Sequence, residues 1–168
     1  MADKQDAIGL LKADHRKVED LFEQFEAATG DGKKQKLAMQ ICMELTVHTV
    51  IEEEIFYPAC EGKVEEDLLK EAFVEHDAAK VLIAEIEAGG PDDAFYDAKV
   101  KVLSEEITHH VKEEEQRVEG IFAQARKAGI DMEALGEQLR ARKEELIASY
   151  KAGGVPKPEL TVLEAVDV

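Results

Sequence analysis

The 168-residue sequence predicts an all-α fold: an up-down-up-down four-helix bundle with an added C-terminal fifth helix and an irregular tail. Apolar residues recur in alternating steps of three and four along successive stretches, the period of a helix with one buried stripe. Breakers separate the stretches: Thr29-Gly30-Asp31-Gly32, then Gly62, then Gly89-Gly90-Pro91-Asp92-Asp93. The composition agrees, with four prolines, no tryptophan and 5% aromatic residues amid long runs of Ala, Glu, Lys and Leu.

Helix one is expected over about residues 5 to 27, with Ile8, Leu11, Val18, Phe22 and Phe25 on its stripe. His15 fills the step between Leu11 and Val18, so it stands where a core residue would. Helix two, about 33 to 59, repeats the pattern with Ala38, Ile41, Leu45, His48, Glu52 and Ile55, placing two polar residues in succession on core positions. Helix three, about 64 to 88, reads Leu69, Ala72, His76, Ala79, Ile83 and Ile86. Helix four, about 92 to 128, reads Val100, Leu103, Ile107, His110, Glu114, Val118 and Ile121, with Pro91 in its first turn. The phase selects His110 over His109, which lies about 100° away. Beyond it, Ile130 and Leu135 flank an N-cap at Asp131, and Leu135, Leu139, Leu146 and Ile147 lay a fifth helix against the bundle. Gly153-Gly154 end that helix, and the alternating, proline-containing segment from Val155 reads as a packed or exchanged arm in preference to a disordered tail. The organisation is therefore a metal-binding bundle over 1–128, a packed helix over 129–152 and a tail over 153–168.

Residues equidistant from the loop joining two antiparallel helices lie level with each other. The midpoints between His15 and His48, His48 and His76, and His76 and His110 fall at about residues 31, 62 and 93. All three land on the breakers, which helix phase alone does not require. The histidines therefore share one depth as well as one interior.

An isolated core histidine is most often an ordinary residue bonded to a neighbour. The joint pattern differs, because buried carboxylates need a partner or a metal, and no Arg or Lys shares the stripe with Glu52 and Glu114. Four imidazoles with two carboxylates suit a dinuclear site, with His15, His48, Glu52, His76, His110 and Glu114 as ligands. Mixed imidazole and carboxylate ligation suits iron, manganese or zinc. Leu11, Val18, Leu45, Ile55, Ala72, Ala79 and Ile107 are expected to wall the site in apolar surface.

The net charge of −17 opposes nucleic acid and anionic membrane surfaces and favours cation uptake. No run is long enough to span a bilayer, and the charged start through Asp6 has no apolar signal core. Cys42 and Cys60 form neither a disulfide framework nor a C-x-x-C metal spacing, so a cytoplasmic location is expected.

One histidine, then His48-x-x-x-Glu52, a lone histidine and His110-x-x-x-Glu114, over about residues 8 to 122, resembles the hemerythrin-like or HHE cation-binding domain family. The run Glu52-Glu53-Glu54-Ile55-Phe56-Tyr57-Pro58 looks like that family's second-helix ending. Ferritin-like di-iron bundles instead repeat Glu-x-x-His with a three-residue step. The resemblance implies two carboxylate-bridged iron ions, zinc or manganese being possible, with His15 and His48 on one, His76 and His110 on the other and Glu52 and Glu114 bridging. Ala72 stands where oxygen-carrying hemerythrins place a further histidine, which opens coordination positions and makes reversible oxygen carriage less expected. Gly120 stands where Pro58 would repeat and carries little weight.

His109 is expected at the surface and Glu53 and Tyr57 off the stripe and not ligands; Glu44, Glu19 and Glu106 sit one turn from ligand histidines and could orient them, though solvated surface carboxylates are the commoner outcome. The implied function is binding or sensing a small oxidant, a diatomic ligand or peroxide, by a monomer or homodimer. The alternatives are a di-iron enzyme consuming peroxide or nitric oxide, and an iron-storage or iron-sensing protein.

Overall fold

Helix α1 (Ala7–Ala27) starts where the Asp6 side chain accepts a 2.8 Å hydrogen bond from the Gly9 N–H, satisfying one of the free donors of a helix start. The computed structural model describes residues 5–164, so the charged start Met1–Lys4 and the end of the expected tail, 165–168, lie outside the described residues. Gly30 sits at φ +96°, a conformation that costs glycine little, and turns the chain into α2 (Asp31–Ile51). The helix runs on through a π-helical turn, Glu52–Phe56, into the short α3 (Tyr57–Cys60). Then follow α4 (Glu66–Ala88), α5 (Tyr96–Glu115), α6 (Ile121–Lys127) and α7 (Met132–Gly153). Among the described residues every regular element is helical, and none is long and apolar enough to cross a membrane.

Neighbouring pairs α1–α2, α2–α4, α4–α5 and α5–α1 close a four-helix ring, and α7 lies along α1 and α2. Asp131 caps α7 by accepting from the Ala134 N–H at 3.0 Å, and Leu135, Leu139 and Leu146 bury against the bundle. The interior divides into two apolar clusters. One, nearer α6 and α7, contains Leu11, Ile51, Phe56, Leu69, Phe122 and Leu139. The other contains Val18, Phe22, Leu45, Ile83 and Leu103. The histidine stripe crosses the bundle between them.

The structure corrects the sequence reading at both ends of the fourth bundle helix. Pro91 belongs to a β-turn, not to the first helical turn: the Gly90 carbonyl accepts from the Asp93 N–H at 2.9 Å, which puts Pro91 at the second turn position. Helix α5 starts only at Tyr96, and it stops at Glu115 because Gln116 turns to extended backbone. Val118 is consequently 80% exposed instead of continuing the seam. Gly120 matters more than its sequence context indicates. A Cβ there would lie 2.5 Å from the Gln116 carbonyl oxygen and 2.7 Å from that of Glu114, inside contact distance.

Gly120→Ala is therefore expected to lower unfolding stability by about 1–3 kcal/mol, the usual range for overpacking, measured by denaturant titration. An unchanged midpoint would show that the turn after α5 absorbs a methyl group without moving.

Candidate metal centre

Every helix of the ring delivers one imidazole to the same layer. Nε2 of His15 lies 3.2 Å from Nε2 of His48, and Nε2 of His76 lies 3.2 Å from Nε2 of His110. The two glutamates, both fully buried, span the two pairs. Glu52 Oε1 is 3.0 Å from His48 Nε2 and its Oε2 3.2 Å from His76 Nε2. Glu114 Oε2 is 3.2 Å from His15 Nε2 and its Oε1 3.4 Å from His110 Nε2. All six expected residues thus converge. Their donor atoms form two overlapping groups, His15, His48, Glu52 and Glu114, and Glu52, His76 and His110.

The other ring nitrogens face outward, each toward its own carboxylate. His48 Nδ1 meets Asp14 at 3.1 Å, His76 Nδ1 meets Glu53 at 3.2 Å, His110 Nδ1 meets Glu75 at 3.5 Å and His15 Nδ1 meets Glu115 at 3.4 Å. Each carboxylate is the chain neighbour of a seam residue, yet serves the histidine of the next helix round. A neighbour in sequence lies about 100° round the helix, so it points sideways at the adjoining helix. On α1 and α4 it is the residue before the histidine. On α5, and on the π-helical turn that continues α2, both antiparallel to these, it is the residue after the glutamate, which preserves one sense of rotation and closes the ring. Among the described residues, three of the four carboxylates are held in turn by cations: Lys143 on Asp14, Arg16 on Glu115 at 2.5 Å and Lys80 on Glu53 at 3.0 Å.

Glu44, Glu19 and Glu106, one turn from His48, His15 and His110, are not among these acceptors. Glu44 pairs with Lys17, Glu19 pairs with Arg16, and Glu106 keeps one buried oxygen without a hydrogen-bond partner among the described residues. Adjacency to a seam residue is the signal that would have found the true set. His109 is exposed and pairs with Glu113 at 3.2 Å, as the phase requires.

Tyr57 is the other correction. It lies fully buried, its hydroxyl donating to Glu114 Oε1 at 2.6 Å and lying 3.2 Å from Glu52 Oε2, 3.3 Å from His76 Nε2 and 3.4 Å from His110 Nε2. The π-helical turn explains this. The Tyr57 N–H bonds to the Glu52 carbonyl five residues back, so the widened turn stacks Tyr57 over Glu52 and rotates Ile55 away from full burial. Pro58 carries the sequence signal, since a proline cannot bond to the carbonyl four residues earlier and its ring crowds it. Of the expected apolar wall, Val18, Leu45 and Ile107 face the histidines, while Leu11 and Ala72 lie in the cluster beyond and Ala79 in the other.

The donor set fits a cation. An ionised carboxylate can only accept, so each Nδ1 carries the proton, and in a neutral ring Nε2 is then a lone pair. Facing lone pairs at 3.2 Å repel, as do lone pairs facing carboxylate oxygens. With the rings neutral, Glu52 Oε1 and Glu114 Oε2 accordingly have no hydrogen-bond donor among the described residues despite the imidazole nitrogens beside them. Positive charge bound among these atoms removes the repulsion, and the outer carboxylates orient the imidazoles for it.

Without metal, protons supply part of that charge. Burial disfavours the His48 imidazolium, yet Glu52 and Asp14 raise its pKa from 6.5 to about 10. Burial likewise opposes the charged forms of His15 and His110, and Glu114 beside both raises each of them. Burial and Glu114 push Glu52 upward, but His48 and His76 prevail and bring it down to about 2.

The fold and this layer define a class of protein, a helical bundle that binds metal through imidazole and carboxylate. Comparison gives the family: residues 6–122 match the Hemerythrin HHE cation binding domain, and the chain belongs to that family. A Hemerythrin HHE cation binding domain-containing protein from Mycobacterium kansasii has the same fold, with a TM-score of 0.73 at 20% identity over 90% of this chain and 95% of that one. The chain is also 31% identical over 116 residues to a protein from Nostoc sp. named a DNA nickase, matching 68% of this chain and only 33% of that one.

The raised histidine values set a sign. Their contribution to the metal-free fold is complete below pH 6.5 and is lost as pH climbs toward the folded value of about 10 for His48. Metal requires the neutral rings and releases those protons. The rise in Tm on metal loading is therefore expected to be larger at about pH 8.5 than at roughly pH 6; an equal rise at both would contradict proton substitution.

Proposed function

We propose that the chain binds a pair of iron ions and uses them to bind or sense a small oxidant: oxygen, peroxide or nitric oxide. His15 and His48 would hold one ion and His76 and His110 the other, with Glu52 and Glu114 available to both. The observation that carries the ligand reading is a cavity of about 20 Å³ against the histidines, lined also by Val18, Leu45, Ile107 and Val111. A water molecule needs roughly 10–15 Å³, so this space suits a ligand of a few atoms and nothing larger. Its apolar lining limits water and favours an uncharged diatomic guest. Iron, when bound, supplies the redox chemistry. The chain's own residues orient the ligands, exclude solvent and, at the Tyr57 hydroxyl, hold a proton against Glu114. Burial and the two glutamates raise that phenol well above its usual pKa, which keeps it protonated in the metal-free site. Tyr57 also brings a polar group to the His76–His110 half, where Ala72 offers no imidazole.

The −17 net charge supports a role away from DNA, so the activity named for the Nostoc relative is not extended to this chain.

Anaerobic reconstitution is expected to load two irons per chain, and exposure to oxygen, peroxide or nitric oxide to change the visible spectrum in stoichiometric proportion. Sustained consumption of oxidant by catalytic amounts of protein would favour an enzyme instead. Metal content that His48→Ala with Glu52→Ala leaves unchanged would defeat the ligand assignment. Tyr57→Phe is expected to retain both irons while altering the spectrum, since it removes only the hydroxyl; an identical spectrum would place Tyr57 outside the centre's chemistry.

A further inference from the structure

The outer carboxylates of the ring are not held alike. Asp14 and Glu115, which face the His48 and His15 rings, are held by Lys143 of α7 and Arg16 of α1. Glu53, which faces His76, is held by a different construction involving the segment after α7. Both Glu53 oxygens accept from Lys80 Nζ at 3.0 Å, and Oε2 also accepts from the Thr161 hydroxyl at 3.0 Å. The same hydroxyl accepts from Lys80 at 2.8 Å. A hydroxyl can donate once and accept as well, so Thr161 joins the carboxylate and the ammonium in one closed circuit.

The segment itself is fixed by Asp77. That carboxylate is fully buried and accepts from three consecutive backbone N–H groups, Thr161 at 2.9 Å, Val162 at 2.7 Å and Leu163 at 2.8 Å, and from Lys80 at 3.0 Å. Lys80 is only 7% exposed. A buried ammonium needs partners on every side, and the tail supplies one of them while excluding water from the rest. Asp77 lies one residue beyond His76 on α4, so the anchor and the imidazole move together. With the tail in place, Glu53 is confined to the position from which it orients the His76 ring.

We propose that Thr161–Leu163 form a clasp in which Thr161 is a positioning residue for the His76–His110 half of the centre, setting how tightly that half retains its ion. The clasp leaves the His15–His48 half to Lys143 and Arg16. The inference rests on the two-ion reading above. It gives the C-terminal segment a means of making one ion more exchangeable than the other, because lifting three residues leaves Glu53 to Lys80 alone without disturbing a bundle helix.

Zinc is the probe, because it has no redox chemistry of its own. The full-length chain, loaded with zinc, is challenged with excess chelator, and release is followed in time beside circular dichroism. Wild type is expected to release two ions in two phases, and the phase belonging to the His76 half is the one missing in His76→Ala. Thr161→Val is expected to accelerate that phase by about tenfold, the lower end of effects for groups behind metal ligands, with helicity unchanged. Thr161→Ser, which keeps the hydroxyl, should restore the wild-type rate. Lys143→Met should accelerate the other phase alone. Two phases that Thr161→Val leaves unchanged, or accelerates equally, would overturn the clasp while leaving the two-ion centre intact. A wild-type chain that holds fewer than two ions would overturn the two-ion reading, and the clasp with it.

Discussion

Imidazole lone pairs forced together in a dry interior govern this structure. Between neutral rings, ordinary hydrogen bonding cannot relieve His15 against His48, or His76 against His110, because each has committed its one proton to an outer carboxylate. Protons can fill the inner space at the cost of crowding positive charges, and metal fills it better. Much else in the molecule serves this layer. The two apolar clusters seal it from either end, α6 stacks Phe122 on the His15 ring, and α7 sends Lys143 to hold Asp14.

The ring of carboxylates shows how little sequence such a site needs. Asp14-His15, Glu52-Glu53, Glu75-His76 and Glu114-Glu115 are adjacent pairs in which one member points to the seam and its neighbour to the next helix. The alternation of before and after follows from the antiparallel order of the helices. One residue pair per helix therefore supplies a donor to the layer and an orienting group to the adjoining helix, and the bundle must form before either finds its partner.

Helix phase made the seam legible: His15, His48, Glu52, His76, His110 and Glu114 all lie where the three-four spacing places them, and the midpoint rule anticipated that they would be level. Asp131 as a cap and the burial of Leu135 and Leu139 were readable for the same local reasons. Tyr57 was not, because a period of 3.6 residues carries no information about an inserted π-helical turn, and one extra residue rotates everything after it. Helix phase does not reveal the roles of Gly120 and Val118, because the end of α5 is decided by backbone atoms that only the folded turn brings close. Same-helix spacing offers Glu19, Glu44 and Glu106 one turn from His15, His48 and His110, whereas the ring geometry takes each orienting carboxylate from the neighbouring helix. The Asp77–Thr161 contact joins positions too far apart in sequence for any local pattern to indicate.

The central assertion concerns charge at a defined place, and anomalous scattering from crystals of the iron-loaded protein tests it most directly. Two peaks at the iron edge are expected, one between His15 and His48 and one between His76 and His110, with Glu52 and Glu114 reaching both. Absence of iron from that layer, or a peak only at surface carboxylates, would contradict it.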